Sequence, residues 1–196
     1  MAITTQQTWY AKRLLRASSG WRKWLNVQLP YRWNLRSLNP GYTLDVGCGV
    51  GRNLGHLDGR GIGIDPNPDC VAMARQKGFV AFTPEEFLAS PQRQNHSFDS
   101  LLFAHVLEHV NEATADQLLQ TYLPLLKPGG QLVIITPQEK GYASDPTHIR
   151  FVDFSTIKEL FQRFGLQEMQ QYSFPFPRWV GRLFAHNEFV SRGVMK

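Results

Sequence analysis

The residues best placed to do chemistry begin at Asp45. The run Thr43-Leu44-Asp45-Val46-Gly47-Cys48-Gly49-Val50-Gly51-Arg52 sets a carboxylate near the end of an apolar stretch, with glycines at 47, 49 and 51 behind it. Glycines at this spacing allow a tight turn and let a ligand lie close against the backbone. A nicotinamide fingerprint would need Gly-x-Gly-x-x-Gly, and position 52 is Arg. A carboxylate beside the turn is a poor neighbour for a pyrophosphate and a good one for a ligand carrying an ammonium group. A second acid, Asp65, ends the run Gly61-Ile62-Gly63-Ile64-Asp65. Further along, the stretch Ser144-Asp145-Pro146-Thr147-His148-Ile149-Arg150-Phe151 gathers a histidine able to take a proton, an acid able to orient it, and a cation able to pair with an anionic acceptor. His105 is the next candidate base. His109 and Glu108 read as packing and capping groups. No cluster of carboxylates and histidines stands at ligand spacing along the chain, so no metal is expected.

These residues need a scaffold, and the pattern from residue 42 onward supplies one. Short apolar runs at 42–46, 61–65, 79–82, 99–103 and 131–136 read as strands. Helical segments at 51–57, 69–77, 84–89 and 112–126 lie between them. Such alternation predicts an α/β fold with a parallel sheet and helices on both faces. In an open sheet of this kind ligands sit at the carboxyl ends of the strands, which suits the loop of His148 after the fifth strand. Lys127-Pro128-Gly129-Gly130 reads as a hard stop and turn before that strand. A helix at 155–164 follows, with Ser155 as N-cap and Gly165 as C-cap glycine. Runs at 166–172 and 188–194 close the chain as two strands around a Pro- and aromatic-rich loop.

Composition narrows the class. The chain has 196 residues, 42% of them hydrophobic and 19% charged, with two cysteines. That is an ordinary globular balance in one domain, with too few cysteines for a disulfide scaffold or a four-cysteine zinc site. No apolar run approaches a membrane span, and a reducing, cytoplasmic setting is expected. The net charge of +5 is uneven. No acid precedes Asp45, while Lys12, Arg13, Arg16, Arg22, Lys23, Arg32 and Arg36 all do. The chain divides by charge into a basic helical head over 1–40 and a mildly acidic body over 41–196.

The glycine turn resembles the first motif of the class I S-adenosylmethionine-dependent methyltransferases, Asp/Glu-x-Gly-x-Gly-x-Gly, at every defined position. The resemblance extends from about Tyr42 to about Leu166. Gly61-Ile62-Gly63-Ile64-Asp65 is similar to the second motif. Phe98 to His109, ending Leu107-Glu108-His109, is similar to the fourth-strand motif, and Leu125-Leu126-Lys127-Pro128-Gly129-Gly130 matches the pre-strand signature. Within that family the chain resembles the small type 11 methyltransferases. It implies a Rossmann-like seven-stranded mixed sheet with the last strand antiparallel, an N-terminal helical cap, and S-adenosylmethionine as cofactor with S-adenosylhomocysteine as product. It further implies that Asp45, Gly47, Cys48 and Gly49 hold the amino-acid moiety, Asp65 the ribose hydroxyls, and Ala104 and His105 the region of the methionine and acceptor. One motif departs: where the family carries Asp-Ala at the adenine, this chain has Thr83-Pro84-Glu85. Pro84 has no N–H to give, so the contact falls to Thr83, Glu85 or a shifted backbone group. The same residues also read as a helix start.

By elimination, the expected acceptor is an oxygen or nitrogen atom of a small or lipid-like molecule. Ala104-His105-Val106-Leu107 is not the Pro-Pro-aromatic tetrapeptide of base-amino methylation. Cys48 and Cys70 are not placed as nucleophiles for pyrimidine carbon. Thr136-Pro137-Gln138-Glu139 lacks the Asp-Asn pair of metal-dependent catechol methylation. Asp145 is a further candidate acceptor-site residue, and Arg150 beside it favours an anionic acceptor. Trp179, in Phe174-Pro175-Phe176-Pro177-Arg178-Trp179, favours an apolar or planar one. The head interleaves Trp9, Tyr10, Trp21 and Trp24 with cations. It reads as a cover over the active site, as a peripheral contact with an anionic membrane or acceptor, or as a nucleic-acid surface. An RNA methyltransferase and a cofactor-binding but inert partner subunit are the rival functions; the sequence does not decide the oligomeric state.

Overall fold

The computed structural model of the protein describes residues 28–195. The expected basic head falls mostly on residues 1–27, outside the described residues. Two compact units follow one another along the chain, Met1–Arg93 and Gln94–Lys196.

In the first unit, α1 (Leu29–Ser37), β1 (Thr43–Val46), α2 (Arg52–His56), β2 (Gly61–Ile64), α3 (Pro68–Gln76), β3 (Ala81–Phe82) and α4 (Pro84–Leu88) alternate as expected. The β1–β2 and β2–β3 pairs are parallel, with Thr43 opposite Gly61 and Gly63 opposite Ala81. Every residue of β1 and β2 is buried, so both faces of this part of the sheet are covered. A side chain at Gly61 would place its Cβ 2.3 Å from the Thr43 carbonyl oxygen, and only glycine allows that approach. α3 starts where Asn67 accepts from the amides of Asp69 and Cys70, with Pro68 opening the first turn. It buries Cys70, Val71 and Ala74, of which Val71 and Ala74 pack with Cys48, Leu54 and Ala81. Two charges assigned to the head lie on α1. Arg32 bonds Asp58 at 2.8 Å, and Arg36 pairs with the same carboxylate.

In the second unit, β4 (Phe98–Ala104) is followed by a 3-10 turn at Leu107–His109, then α5 (Glu112–Tyr122), β5 (Leu126–Pro137), α6 (Glu139–Tyr142), α7 (Phe154–Arg163), β6 (Leu166–Phe174), a 3-10 turn at Arg178–Arg182 and β7 (Glu188–Met195). β5 pairs in parallel with β4 and antiparallel with β7, which is itself antiparallel to β6. The seven strands form one mixed sheet in the order β3-β2-β1-β4-β5-β7-β6. This is the Rossmann-like arrangement with an antiparallel last strand that the motifs imply.

Three details differ from expectation. The helix from 112 ends at Tyr122 because Pro124 forces a 3-10 turn at Leu123–Leu125. Lys127-Pro128-Gly129-Gly130 does not halt the chain before the strand. β5 runs through it from Leu126, and the register jumps from Phe98 opposite Leu126 to Ser100 opposite Gln131. The N-cap of α7 is Asp153, not Ser155. Its Oδ1 accepts from the Thr156 amide at 3.0 Å and from the Ser155 hydroxyl at 2.7 Å. An ionised carboxylate accepts both bonds at once, which a serine hydroxyl does not match.

Candidate active site

The glycine turn after β1 directs its donors inward. The amides of Gly47 and Cys48 both donate to the Ile64 carbonyl, at 2.7 and 3.0 Å, and the Gly49 amide donates to Asp65 Oδ2 at 2.8 Å. Gly47, Gly49 and Gly51 all have positive φ, which this tight path requires. Three successive amides are therefore occupied and form no anion-binding nest, which argues against a pyrophosphate. The Cys48 side chain belongs to the core cluster with Leu54 and Val71. Burial pushes its thiol up, so it is no nucleophile. Only the backbone of Cys48 is left to face a ligand.

The carboxylates behave differently. Asp45 is fully buried, and neither of its oxygens has a hydrogen-bond partner among the described residues. Burial pushes its carboxyl up to about 7, against the pull of the neighbouring Asn53 amide and Arg52 guanidinium. A buried acid held this way lacks a cationic donor, and an ammonium group supplies one. Asp65 accepts from Gly49 and, through Oδ1, from the Asn67 amide at 2.9 Å. Each oxygen keeps a second lone-pair site for a hydroxyl. The residues present thus fit an amino-acid and ribose ligand such as S-adenosylmethionine.

At the start of α4 the helix start expected at Thr83-Pro84-Glu85 takes the form of a capping box. Thr83 Oγ1 accepts from the Glu86 amide, and Glu86 Oε2 accepts from the Thr83 amide at 2.8 Å while pairing with Arg75. The Thr83 amide is thereby occupied and Pro84 has none. Of the three residues expected at the adenine, Glu85 is the exposed one.

The second unit builds a group of histidines and acids. Ala104 is the buried last residue of β4, and His105 follows with φ 59°, a left-handed conformation uncommon outside glycine. Its amide donates to the Ile135 carbonyl, which fixes the backbone there. Its ring lies between two acids, with Nδ1 3.2 Å from Glu108 Oε1 and Nε2 2.9 Å from Glu188 Oε1. Burial works against the charge, but the bonds to Glu108 and Glu188 outweigh it and raise the ring to about 9. His105 is therefore an imidazolium near neutral pH, with both N–H groups donating. A ring in that state cannot also take the acceptor's proton. Glu188→Gln removes one of the two acids, and the His105 titration is expected to fall toward the ordinary histidine range, as followed by NMR of the ring protons.

His148 is oriented by a carbonyl, not by Asp145. Its Nδ1 lies 2.8 Å from the Tyr142 oxygen, and its ring stacks on Tyr142 at 5.5 Å and meets His109 at 4.7 Å. A carbonyl only accepts, so Nδ1 carries the proton and Nε2 a free lone pair. Asp145 Oδ1 instead takes the Thr147 hydroxyl at 2.7 Å and the Thr147 amide at 3.0 Å. The Ile149 and Arg150 amides both donate to the Glu108 carbonyl, tying this loop to the turn after β4. Arg150 Nε and Nη2 are buried with no partner among the described residues. Trp179 is 67% exposed on its 3-10 turn, so it does not form an enclosed wall. Its neighbour Arg178 bonds Glu139 and lies 4.6 Å from the Phe189 ring centre. Glu188 and the role of Glu108 are absent from the sequence reading, since no local pattern joins residues 83 positions apart in the chain.

A family profile described as a methyltransferase domain matches residues 16–171. No curated protein matches the chain by sequence. Among solved structures, the chain is similar to a SAM-dependent methyltransferase from Archaeoglobus fulgidus, at 20% identity over 84% of this chain and 92% of the other, with a TM-score of 0.67. It is similar to magnesium protoporphyrin IX methyltransferase from Synechocystis with bound SAM, at 13% identity over 98% and 93% of the two chains and a TM-score of 0.67. A third likeness is to 1,6-didemethyltoxoflavin-N1-methyltransferase from Burkholderia thailandensis, at 17% identity over 95% and 88%, with a TM-score of 0.62. At these identities the structures speak for the fold. The profile, covering most of the chain, speaks for the family. With the acidic glycine turn and the strand order both in place, the chain belongs to the methyltransferase-domain family and is a class I S-adenosylmethionine-dependent methyltransferase.

Proposed function

We propose that this enzyme methylates an oxygen or nitrogen atom of a small anionic acceptor, with Arg150 pairing the acceptor's charge and His148 taking its proton. The carrying observation is the Arg150 guanidinium, whose Nε and Nη2 are buried and unpartnered among the described residues. A buried donor pair without an acceptor is costly, and a carboxylate or phosphate relieves it. When bound, S-adenosylmethionine supplies an electrophilic methyl group. The protein's part is to hold the acceptor, turn the attacking atom and remove its proton. His148 suits the last task because the Tyr142 carbonyl fixes its tautomer and leaves Nε2 free. The Synechocystis and Burkholderia enzymes named above act on small molecules, which supports the same class here. The expected adenine contact, on this reading, is made by Glu85.

A cytoplasmic setting goes with this proposal, and no described helix is long and apolar enough to cross a membrane. A polyanion surface on the head is disfavoured in its described part, where Arg32 and Arg36 are paired with Asp58. The test offers methyl-labelled cofactor with three pools: an anionic metabolite fraction, total RNA, and anionic lipid vesicles. Label is expected in the metabolite fraction. Label in RNA would overturn the proposal in favour of the basic-head reading, and no label in any pool would favour an inert subunit.

A further inference from the structure

We infer that Glu108, His109 and His148 form a binding site for one divalent transition-metal ion of the zinc class. The three are not at ligand spacing along the chain, which is why a sequence pattern misses them. The fold brings the 3-10 turn after β4 against the loop after α6, and one ligand atom from each residue then lies within 4.8 Å of the others.

Two further observations point to a ligand. Glu108 is 0% exposed, and its Oε1 faces His105 while its Oε2 is buried with no hydrogen-bond partner among the described residues. A lone carboxylate oxygen in that position is costly unless a cation meets it. The second observation concerns tautomers. His109 Nδ1 is 3.2 Å from the Thr147 carbonyl and 3.1 Å from Thr147 Oγ1, whose own proton goes to Asp145. That ring must donate from Nδ1, as His148 does to Tyr142. Both rings therefore present bare Nε2 lone pairs. A ligating histidine is held in this way, its other nitrogen donating to a carbonyl, and a ligating carboxylate is held by a donor as His105 holds Glu108.

Two imidazoles and one carboxylate select zinc or its first-row neighbours over magnesium and calcium, which take oxygen. Bonds of about 2.0–2.1 Å require the ligand atoms to close to about 3.4 Å, a movement within the His148 loop. A fourth position stays open to water or to an acceptor atom. The site rests on its own geometry, but it competes with the proton role given to His148 above, because both use the same Nε2 lone pair.

The test uses full-length, tag-free protein stripped with chelator and titrated with Co(II), then with Zn(II). The expected result is one cobalt per chain, a visible absorption band of low-coordinate cobalt that zinc abolishes, and a higher melting temperature. His148→Ala, in a half-buried loop, is expected to weaken cobalt binding at least tenfold. Glu108→Gln is expected to do the same if it folds. Cobalt that stays hexa-aquo, or that binds His148→Ala as tightly as wild type, would overturn the site. Turnover followed through the titration then bears on the proton role of His148. A fall in step with occupancy supports both the metal site and the proton role, since the bound ion covers the base. A rise supports the metal site and overturns the proton role of His148.

Discussion

Asp45→Asn is expected to weaken S-adenosylhomocysteine binding about 100-fold or more at pH 8 while raising the melting temperature of the free protein by about 5 °C. The two effects have opposite signs because the same carboxylate is a burden without ligand and an anchor with it. In the free protein Asp45 is fully buried with neither oxygen partnered among the described residues, and its carboxyl is pushed up to about 7. An amide of the same shape costs less to bury than a carboxylate, and about 1–2 kcal/mol of relief moves a chain of this size by a few degrees. With ligand present, removing one member of a buried charged pair costs about 3–5 kcal/mol, which sets the scale of the lost affinity. The pH dependence carries the same argument. An acid whose folded pKa is raised binds its proton more tightly when folded, so the free protein gains stability as pH falls from about 7 toward 4. Ligand affinity moves the other way. It requires the ionised form and should fall about tenfold per unit below pH 7. Calorimetry from pH 5 to 8 checks both slopes; in the Asn variant the Asp45 share of each should vanish, leaving in the stability slope the part that the raised His105 ring contributes. A wild-type affinity independent of pH would mean that Asp45 does not meet the ligand's ammonium.

How much of this could be read from the sequence depended on whether the signal was local. The β1 turn was legible because strand, carboxylate and glycines are consecutive, and their chemistry follows from spacing alone. Of the helices in the first unit, the one at 84–89 was legible from its start, where Pro84 opens the first turn with acids behind it. The Lys127–Gly130 stretch misled because proline and glycine mark a break in isolation. In the sheet, pairing to β4 carries the strand through them with a shift of register. The second half-site was partly hidden. His105 and His148 were visible as candidates and Glu108 only as a packing or capping group, and the partners of all three were hidden. Glu188 arrives on β7 and the Tyr142 carbonyl from α6, and backbone acceptors leave no mark in a side-chain pattern. His105 shows the consequence. Read alone it is a candidate base, while two acids on its ring make it a fixed cation. The same loss of context made Asp145 look like the partner of His148 when it holds Thr147.

That reassignment sharpens what His148→Ala should do. If His148 is the acceptor's base, turnover is expected to fall about 10²–10⁴-fold with the affinity for S-adenosylhomocysteine unchanged. His105 cannot substitute, because its ring is already protonated near neutral pH and both nitrogens are engaged by Glu108 and Glu188. His109 could approach the role only if its Nε2 reached the same acceptor atom, and burial lowers its own basicity. The pH profile separates a base from a binding group. With His148 as base, wild-type kcat should rise with pH to a plateau, and this limb should vanish in the Ala variant. With His148 only touching the acceptor, the variant's loss should appear in the acceptor KM and the rising limb should persist. Imidazole added to the Ala variant should restore part of the turnover in the first case and none in the second. Unchanged kcat and unchanged KM would leave the ring as packing between Tyr142 and His109. Methyl transfer would then depend on the placement of an acceptor that ionises without help.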